Sequence, residues 1–172
     1  MPCWAGIRVG VTTRADAEAI LGAHPWVGRV FSGATQLSWR WNGTQPALID
    51  GARDGLIGLG AGVVQRLRIQ TTVRYGEMWG ALGAPDDALL VRPVSRYAAF
   101  QISMYDFERP NALMVISSFG CPVTPREFWT STTTLGMGDV WTTEALNGIR
   151  FDIYEQPGWW GRLRRCRSGL AR

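Results

Sequence analysis

Lysine is absent from this chain: all 18 of its basic residues are arginines, set against 14 acids. That removes Schiff-base chemistry, the phosphate-loop lysine and Ser-Lys mechanisms together. Histidine occurs once, at position 24, so any Ser-His-Asp or Cys-His arrangement has to use His24. His24 lies between Ala23 and Pro25, just past a helix end, where a turn is expected. Three dispersed cysteines and one histidine offer no close ligand pair, which excludes a multi-histidine or Cys-x-x-Cys zinc site, and no metal or other cofactor is expected. Apolar runs long enough to span a membrane, about 18 residues, are missing as well.

What is present is enough for a core. In 172 residues, 46% are hydrophobic and 11% aromatic, with nine tryptophans. Buried indoles need partners for their ring N–H groups, so some of the tryptophans are expected at an interface or between sheet and loop. A net charge of +4 permits an anionic partner, but the arginines are spread along the chain except at its end. No specific nucleic-acid partner is expected from charge alone.

Two segments look like copies. Thr12 to Pro25 and Thr72 to Pro85 each read as a short helix ending in Leu-Gly, then Pro, then strand-like sequence, and Leu21-Gly22-Ala23 aligns with Leu82-Gly83-Ala84. The expected fold class is α+β, two tandem repeats of a short helix followed by antiparallel β-strands, with a C-terminal helical extension. The expected organisation is a first repeat over 1–71, a second over 72–120, an extension over 121–160 and a basic tail over 161–172.

Local signals place the elements. Thr13 is an N-cap with Asp16 at N3, and the first helix should stop at Gly22. Gln36 to Trp41 alternates as a strand, and Asn42-Gly43 predicts a hairpin returning through Ala47 to Ile49. The glycine-rich stretch 51–62 has no helix after it and no Gly-Lys-Ser, so it reads as a flexible connection and not as a phosphate loop. Val63 to Gln70 is a strand with Val63, Leu67 and Ile69 on one face and Arg66, Arg68 and Gln70 on the other. Tyr75 to Leu82 is the second helix, followed by strands over Ala88 to Val91, Tyr97 to Phe107 and Leu113 to Phe119. Thr124-Pro125-Arg126-Glu127 is a capping box with Pro at N1. A helix over Asp139 to Leu146 and a strand over Ile149 to Tyr154 complete the expected elements.

The chemistry-bearing candidates divide into two main readings, beside a third in which the arginine-rich tail over 161–172 contacts anionic lipid or nucleic acid. In the first, the protein is a binding or scaffolding module outside the cytoplasm, contacting another protein or the cell envelope. Its candidate contact residues are Trp26, Trp39, Trp41 and Tyr105, with Arg40, Arg66 and Arg68 on the same wet faces. Export would allow Cys3 and Cys121 to form a disulfide, worth about 4–5 kcal/mol for so long a loop in the chain-entropy model. In the second, the protein is a small intracellular enzyme, with Cys121 or a carboxylate pair from Asp86, Asp87, Asp106 and Glu108 in a cleft between the repeats.

The segment Pro2-Cys3-Trp4-Ala5-Gly6-Ile7-Arg8-Val9-Gly10-Val11-Thr12-Thr13 resembles the start of the mature region in uncharacterised exported lipoproteins of Chloroflexi-type bacteria, where the pattern is Pro-Cys-Trp-x-Gly-Ile-x-Pro-Gly-x-Thr-Thr. Val9 stands where that pattern has Pro. The Gly-x-Thr, helix, Leu-Gly-x-Pro, strand layout over residues 4 to about 120 is similar to the small helix-plus-sheet modules of BamE-type outer-membrane lipoproteins and of β-lactamase inhibitor protein. The resemblance implies a binding or scaffolding module without catalysis, and it carries over no functional residue.

Overall fold

The computed structural model describes residues 3–85, 87–91, 98–105, 113–120 and 124–138. These belong to an α+β fold with an antiparallel sheet and few helices, divided into two compact units. The chain passes from the first unit to the second between Thr72 and Val73, and residues 134–138 return to the first. The first unit is therefore not one continuous stretch of chain. Asp139–Leu146, Ile149–Tyr154 and the tail lie outside the described residues.

The first unit opens with a minimal hairpin, β1 (Cys3–Trp4) and β2 (Ile7–Arg8), paired Cys3 to Arg8 and Trp4 to Ile7. Its turn residues Ala5 and Gly6 both have positive φ, 52° and 88°, the requirement of a two-residue hairpin loop that follows the strand twist. Helix α1 (Arg14–Ala23) then starts at Thr13, whose hydroxyl accepts from the Asp16 N–H at 3.2 Å, as the cap signal predicts. It does not stop at Gly22. The helix runs one residue further and ends on His24, whose φ of −76° needs no left-handed residue. Ala17 and Leu21 are fully buried and Ile20 partly, so one narrow stripe docks the helix.

Four strands carry the sheet onto which it docks: β3 (Val27–Ser32), β4 (Gln36–Trp41), β5 (Gly55–Gly60) and β6 (Val63–Arg74), in that order, with β10 (Thr132–Gly138) beside β6. The expected Asn42-Gly43 hairpin is not formed. Strand β4 pairs instead with β3, which precedes it, and with β5. Asn42 turns the chain away from the sheet: its Oδ1 accepts from the Thr44 N–H at 3.0 Å and its Nδ2 donates to the Pro25 carbonyl at 2.7 Å. Of the predicted return strand Ala47 to Ile49, Ile49 makes an isolated bridge to Thr71.

Residues 55–60 are not a flexible connection but a strand flanked on both sides. Glycine is needed there for close approach. A Cβ at Gly55 would overlap the indole of Trp39, and one at Gly58 would meet Cγ and Cδ of Arg66 at 2.6 and 2.9 Å. The tight turn into β6 uses Ala61 and Gly62, at φ 49° and 78°.

Strand β6 is longer than predicted and bulged. The register steps from Gly58–Arg66 to Leu59–Val64, leaving Gln65 as an extra residue. The bulge reverses the face of everything before it, so Val64, and not Val63, joins Leu67, Ile69 and Thr71 in the buried row. The start of β6 is stitched to the chain entering α1 by Gly10 N–H to Val64 carbonyl (2.7 Å), Val64 N–H to Thr12 carbonyl (2.9 Å) and Arg14 N–H to Gly62 carbonyl (2.9 Å).

These elements give two layers. Ile7, Val9, Ala17 and Leu21, from the hairpin and helix, pack on Leu37, Trp39, Trp41, Ile57, Val64, Leu67 and Ile69 of the sheet. The layer above is held at the β3 end by Arg14, which donates to Ser32 Oγ (2.5 Å) and to the Gly33 carbonyl (2.8 Å) and pairs with Glu18 at 3.1 Å. Ser32 in turn donates to Glu18 at 2.6 Å. The Ser32 hydroxyl first, and then Arg14, hold the Glu18 carboxyl below its ordinary value.

In the second unit, helix α2 (Tyr75–Leu82) has the predicted bounds. It begins with the Arg74 N–H bonded to Glu77 at 2.8 Å and ends on Gly83 at φ 82°. Helix α3 (Pro125–Thr130) carries the predicted capping box: Thr124 Oγ1 accepts from the Glu127 N–H at 3.2 Å while Glu127 accepts from the Thr124 N–H at 3.0 Å. The two helices meet through aromatic rings, with Tyr75 and Phe128 fully buried 5.0 Å apart, edge to face. Gly76 permits that approach, since a Cβ there would lie 3.1 Å from the Trp129 carbonyl. Strands β7 (Asp87–Val91), β8 (Ala98–Tyr105) and β9 (Leu113–Gly120) run adjacent in the order β9-β8-β7. Strand β10 has no counterpart among the predicted elements.

Candidate functional site

Antiparallel pairing sets directly opposed residues on one face, so the register of β3 to β6 lays out what the sheet shows on the side away from α1. One row runs Phe31, Ser38, Leu56, Arg68, through the pairs Phe31–Ser38, Ser38–Leu56 and Leu56–Arg68. A second runs Gln36, Gly58, Arg66. On the other side of the first row, Arg29 opposes Arg40. Four guanidinium groups thus share one face, and all four residues are exposed. Each belongs to a strand whose alternate residues are in the core, so their direction follows from the burial of Val30, Trp39, Leu67 and Ile69.

The four are held as two pairs. At the β3–β4 corner the Arg29 and Arg40 guanidinium carbons lie 4.9 and 5.4 Å from the centroid of the same ring, Phe31, within cation–π range. Arg40 also approaches Asp54 at 3.8 Å, with side-chain exposures of 68% and 48%, a solvated pair of little energetic weight. At the other corner, on β6, Arg66 folds across Gly58 of β5, and Arg68 stands beside it. Half-buried Leu56 and Ser38 lie between the corners.

Two unit charges on neighbouring same-face positions, about 7 Å apart, repel by only about 0.6 kcal/mol in water. The fold therefore tolerates the cluster, while the summed field favours an anion across the whole face. The arrangement can bind. Among the described residues no group of three His, Cys, Asp or Glu side chains is able to hold a metal.

The sequence-derived candidates separate. Arg40, Arg66 and Arg68 come together on the open face. Trp39 and Trp41 do not share it: both lie in the core, 0% and 9% exposed, because β4 turns its odd-numbered residues toward α1. Trp41 donates its ring N–H to the Arg53 carbonyl at 2.8 Å, whereas the Trp39 ring N–H has no partner. Trp39 stacks on Trp4 at 5.0 Å, and Trp4 stacks on His24 at 5.1 Å. His24 Nδ1 accepts from the Trp26 N–H at 3.3 Å, and half-buried Trp26 meets the His24 ring at 4.9 Å. Trp26 is thus a neighbour of the aromatic core and not of the arginines.

Tyr105 closes β8, and its side chain is outside those described. Cys3 is an exposed free thiol. Cys121 lies outside the described residues, as do Asp86, Asp106 and Glu108, while Asp87 opens β7 with its side chain undescribed. Arg29 and Phe31 were not among the candidates. Their strand reads Val-Gly-Arg-Val-Phe-Ser, and an irregularity between Val27 and Arg29 breaks the alternation that would have marked them.

No helix among the described residues is long and apolar enough to cross a membrane. Comparison with known proteins finds no matching family model, no matching curated protein and no matching solved structure.

Proposed function

We propose that this protein is a non-enzymatic binding module whose open sheet face docks an acidic surface of another protein. The observation that carries the reading is the gathering of Arg29, Arg40, Arg66 and Arg68 on one exposed face, met among the described residues by a single carboxylate, Asp54. Arginine suits the role: its fork pairs with carboxylates bidentately and stacks on Phe31, which restrains it before a partner arrives. The reading also retains two expectations from the sequence, that the protein works in the cell envelope and that its two helix-then-strand segments are repeats of one unit. Support for the first is the resemblance over residues 2–13, and for the second the Leu-Gly-Ala match.

Cross-linking in the native cells, compared between the wild-type chain and an R40E/R66E/R68E variant, tests this. The expected result is that acidic partner proteins captured by the wild type are lost from the variant. An unchanged set of captured proteins refutes the docking face.

A further inference from the structure

The two corners of the arginine face are separated by a measurable span, and the span selects a ligand. Strand β3 is three strand spacings from β6, which at 4.7–4.9 Å each is about 14 Å, and β4 is two spacings away, about 10 Å. The Arg29 and Arg40 guanidiniums converge on Phe31 at one end of this span. At the other end Arg68 stands in the Phe31 row, the full three spacings away, while Arg66 reaches back over Gly58, two spacings from Phe31 but one same-face row further along the strands, about 12 Å off. An extended peptide advances about 3.3 Å per residue, and its same-side residues recur every second position. Side chains about four residues apart are then separated by about 13 Å and point to the same side.

Resting on the binding function proposed above, we infer that the ligand is an extended acidic peptide segment lying across the strands, with one carboxylate on Arg29 and Arg40 and a second, about four residues away, on Arg66 and Arg68. The residue midway between the carboxylates faces Leu56, so a small apolar side chain fits there. A guanidinium pair at each end makes the second contact intramolecular once the first has formed, and affinity depends on spacing as well as on charge.

The test uses the full chain and synthetic capped peptides of one composition, two glutamates among serine and alanine, with the glutamates two, four or eight residues apart. Dissociation constants come from shifts of the arginine side-chain N–H signals. Four-residue spacing is expected to bind about tenfold more tightly than the other two, and R29Q/R40Q or R66Q/R68Q to erase that advantage. Equal binding of all three peptides, lost at high salt, overturns the spaced two-point site while leaving an acidic docking face in place. Absence of binding by any of them, with partner capture unaffected by R40E/R66E/R68E, defeats the docking face as well. Stronger binding of a single-stranded oligonucleotide of equal charge, at the same arginines, overturns the peptide assignment.

Discussion

Gly55→Ala adds a single methyl group to the core face of a strand bounded on both sides, and the structure shows where it goes. The new Cβ would overlap Cζ2 and Cε2 of Trp39 and stand 2.6 Å from its Cη2, whereas carbon atoms rest at about 3.5–4.0 Å. The indole has to retreat by about 1 Å or more, and it has nowhere empty to go. Trp39 is fully buried, stacked on Trp4 at 5.0 Å and edge-on to Trp41 at 5.5 Å. Overpacking of this kind costs about 1–3 kcal/mol, and the rigidity of the neighbours puts this site toward the upper end, about 2–3 kcal/mol. At about 2–4 °C per kcal/mol for a chain of this size, the melting temperature should fall by about 4–12 °C. Tryptophan fluorescence and near-ultraviolet circular dichroism read both the midpoint and the displaced ring stack. A variant melting within about 1 °C of wild type, with an unchanged aromatic spectrum, would refute the close packing of Trp39 on β5.

The opposite sign is expected at Gly22, an exposed position inside α1 with no atom within 4 Å of an added Cβ: Gly22→Ala should stabilise by about 0.5–1 kcal/mol in urea unfolding. Trp41→Phe strands the Arg53 carbonyl that Trp41 now satisfies at 2.8 Å, and should cost about 1–3 kcal/mol in the same assay. Glu18 has its folded value depressed below 4.5 by Ser32 and Arg14, so its stabilising effect is present above that pH and is lost as the pH falls through the folded value. Glu18→Gln should therefore be less stable than wild type at pH 7, with the gap closing below pH 4.5 in a pH series of urea midpoints.

Legibility in the sequence followed how local each determinant is. Caps are local, and Thr13 with Asp16, and Thr124-Pro125 with Glu127, are where their residue types indicate. The alternation of Gln36 to Trp41 is also local and separates the two sides of β4, but it does not say which side is buried: Trp39 and Trp41, expected as contact residues beside Arg40, lie in the core. Strand β5 was hidden because its glycines answer to residues distant in sequence, Trp39 on β4 and Arg66 on β6, and a glycine chosen for close approach looks the same as one chosen for flexibility. The bulge at Gln65 moves a face by one residue, which puts Val64 and not Val63 in the buried row, while Arg29 and Phe31 sit on β3, over which the sequence reading places no strand. The arginine cluster itself is a product of register. Residues 29, 40, 66 and 68 are dispersed in the chain and become neighbours only when β3 to β6 pair.

The most direct measurement of that cluster's role is a titration of the full chain with soluble polyglutamate, following the side-chain N–H signals of every arginine and tryptophan by nuclear magnetic resonance. The account predicts that Arg29, Arg40, Arg66 and Arg68 shift together and saturably, while Arg14, tied to Glu18 and Ser32, and Arg126 stay in place. Uniform drift of all the arginines, or shifts confined to Trp79 and the exposed Trp129 of the α2–α3 pair, would contradict it.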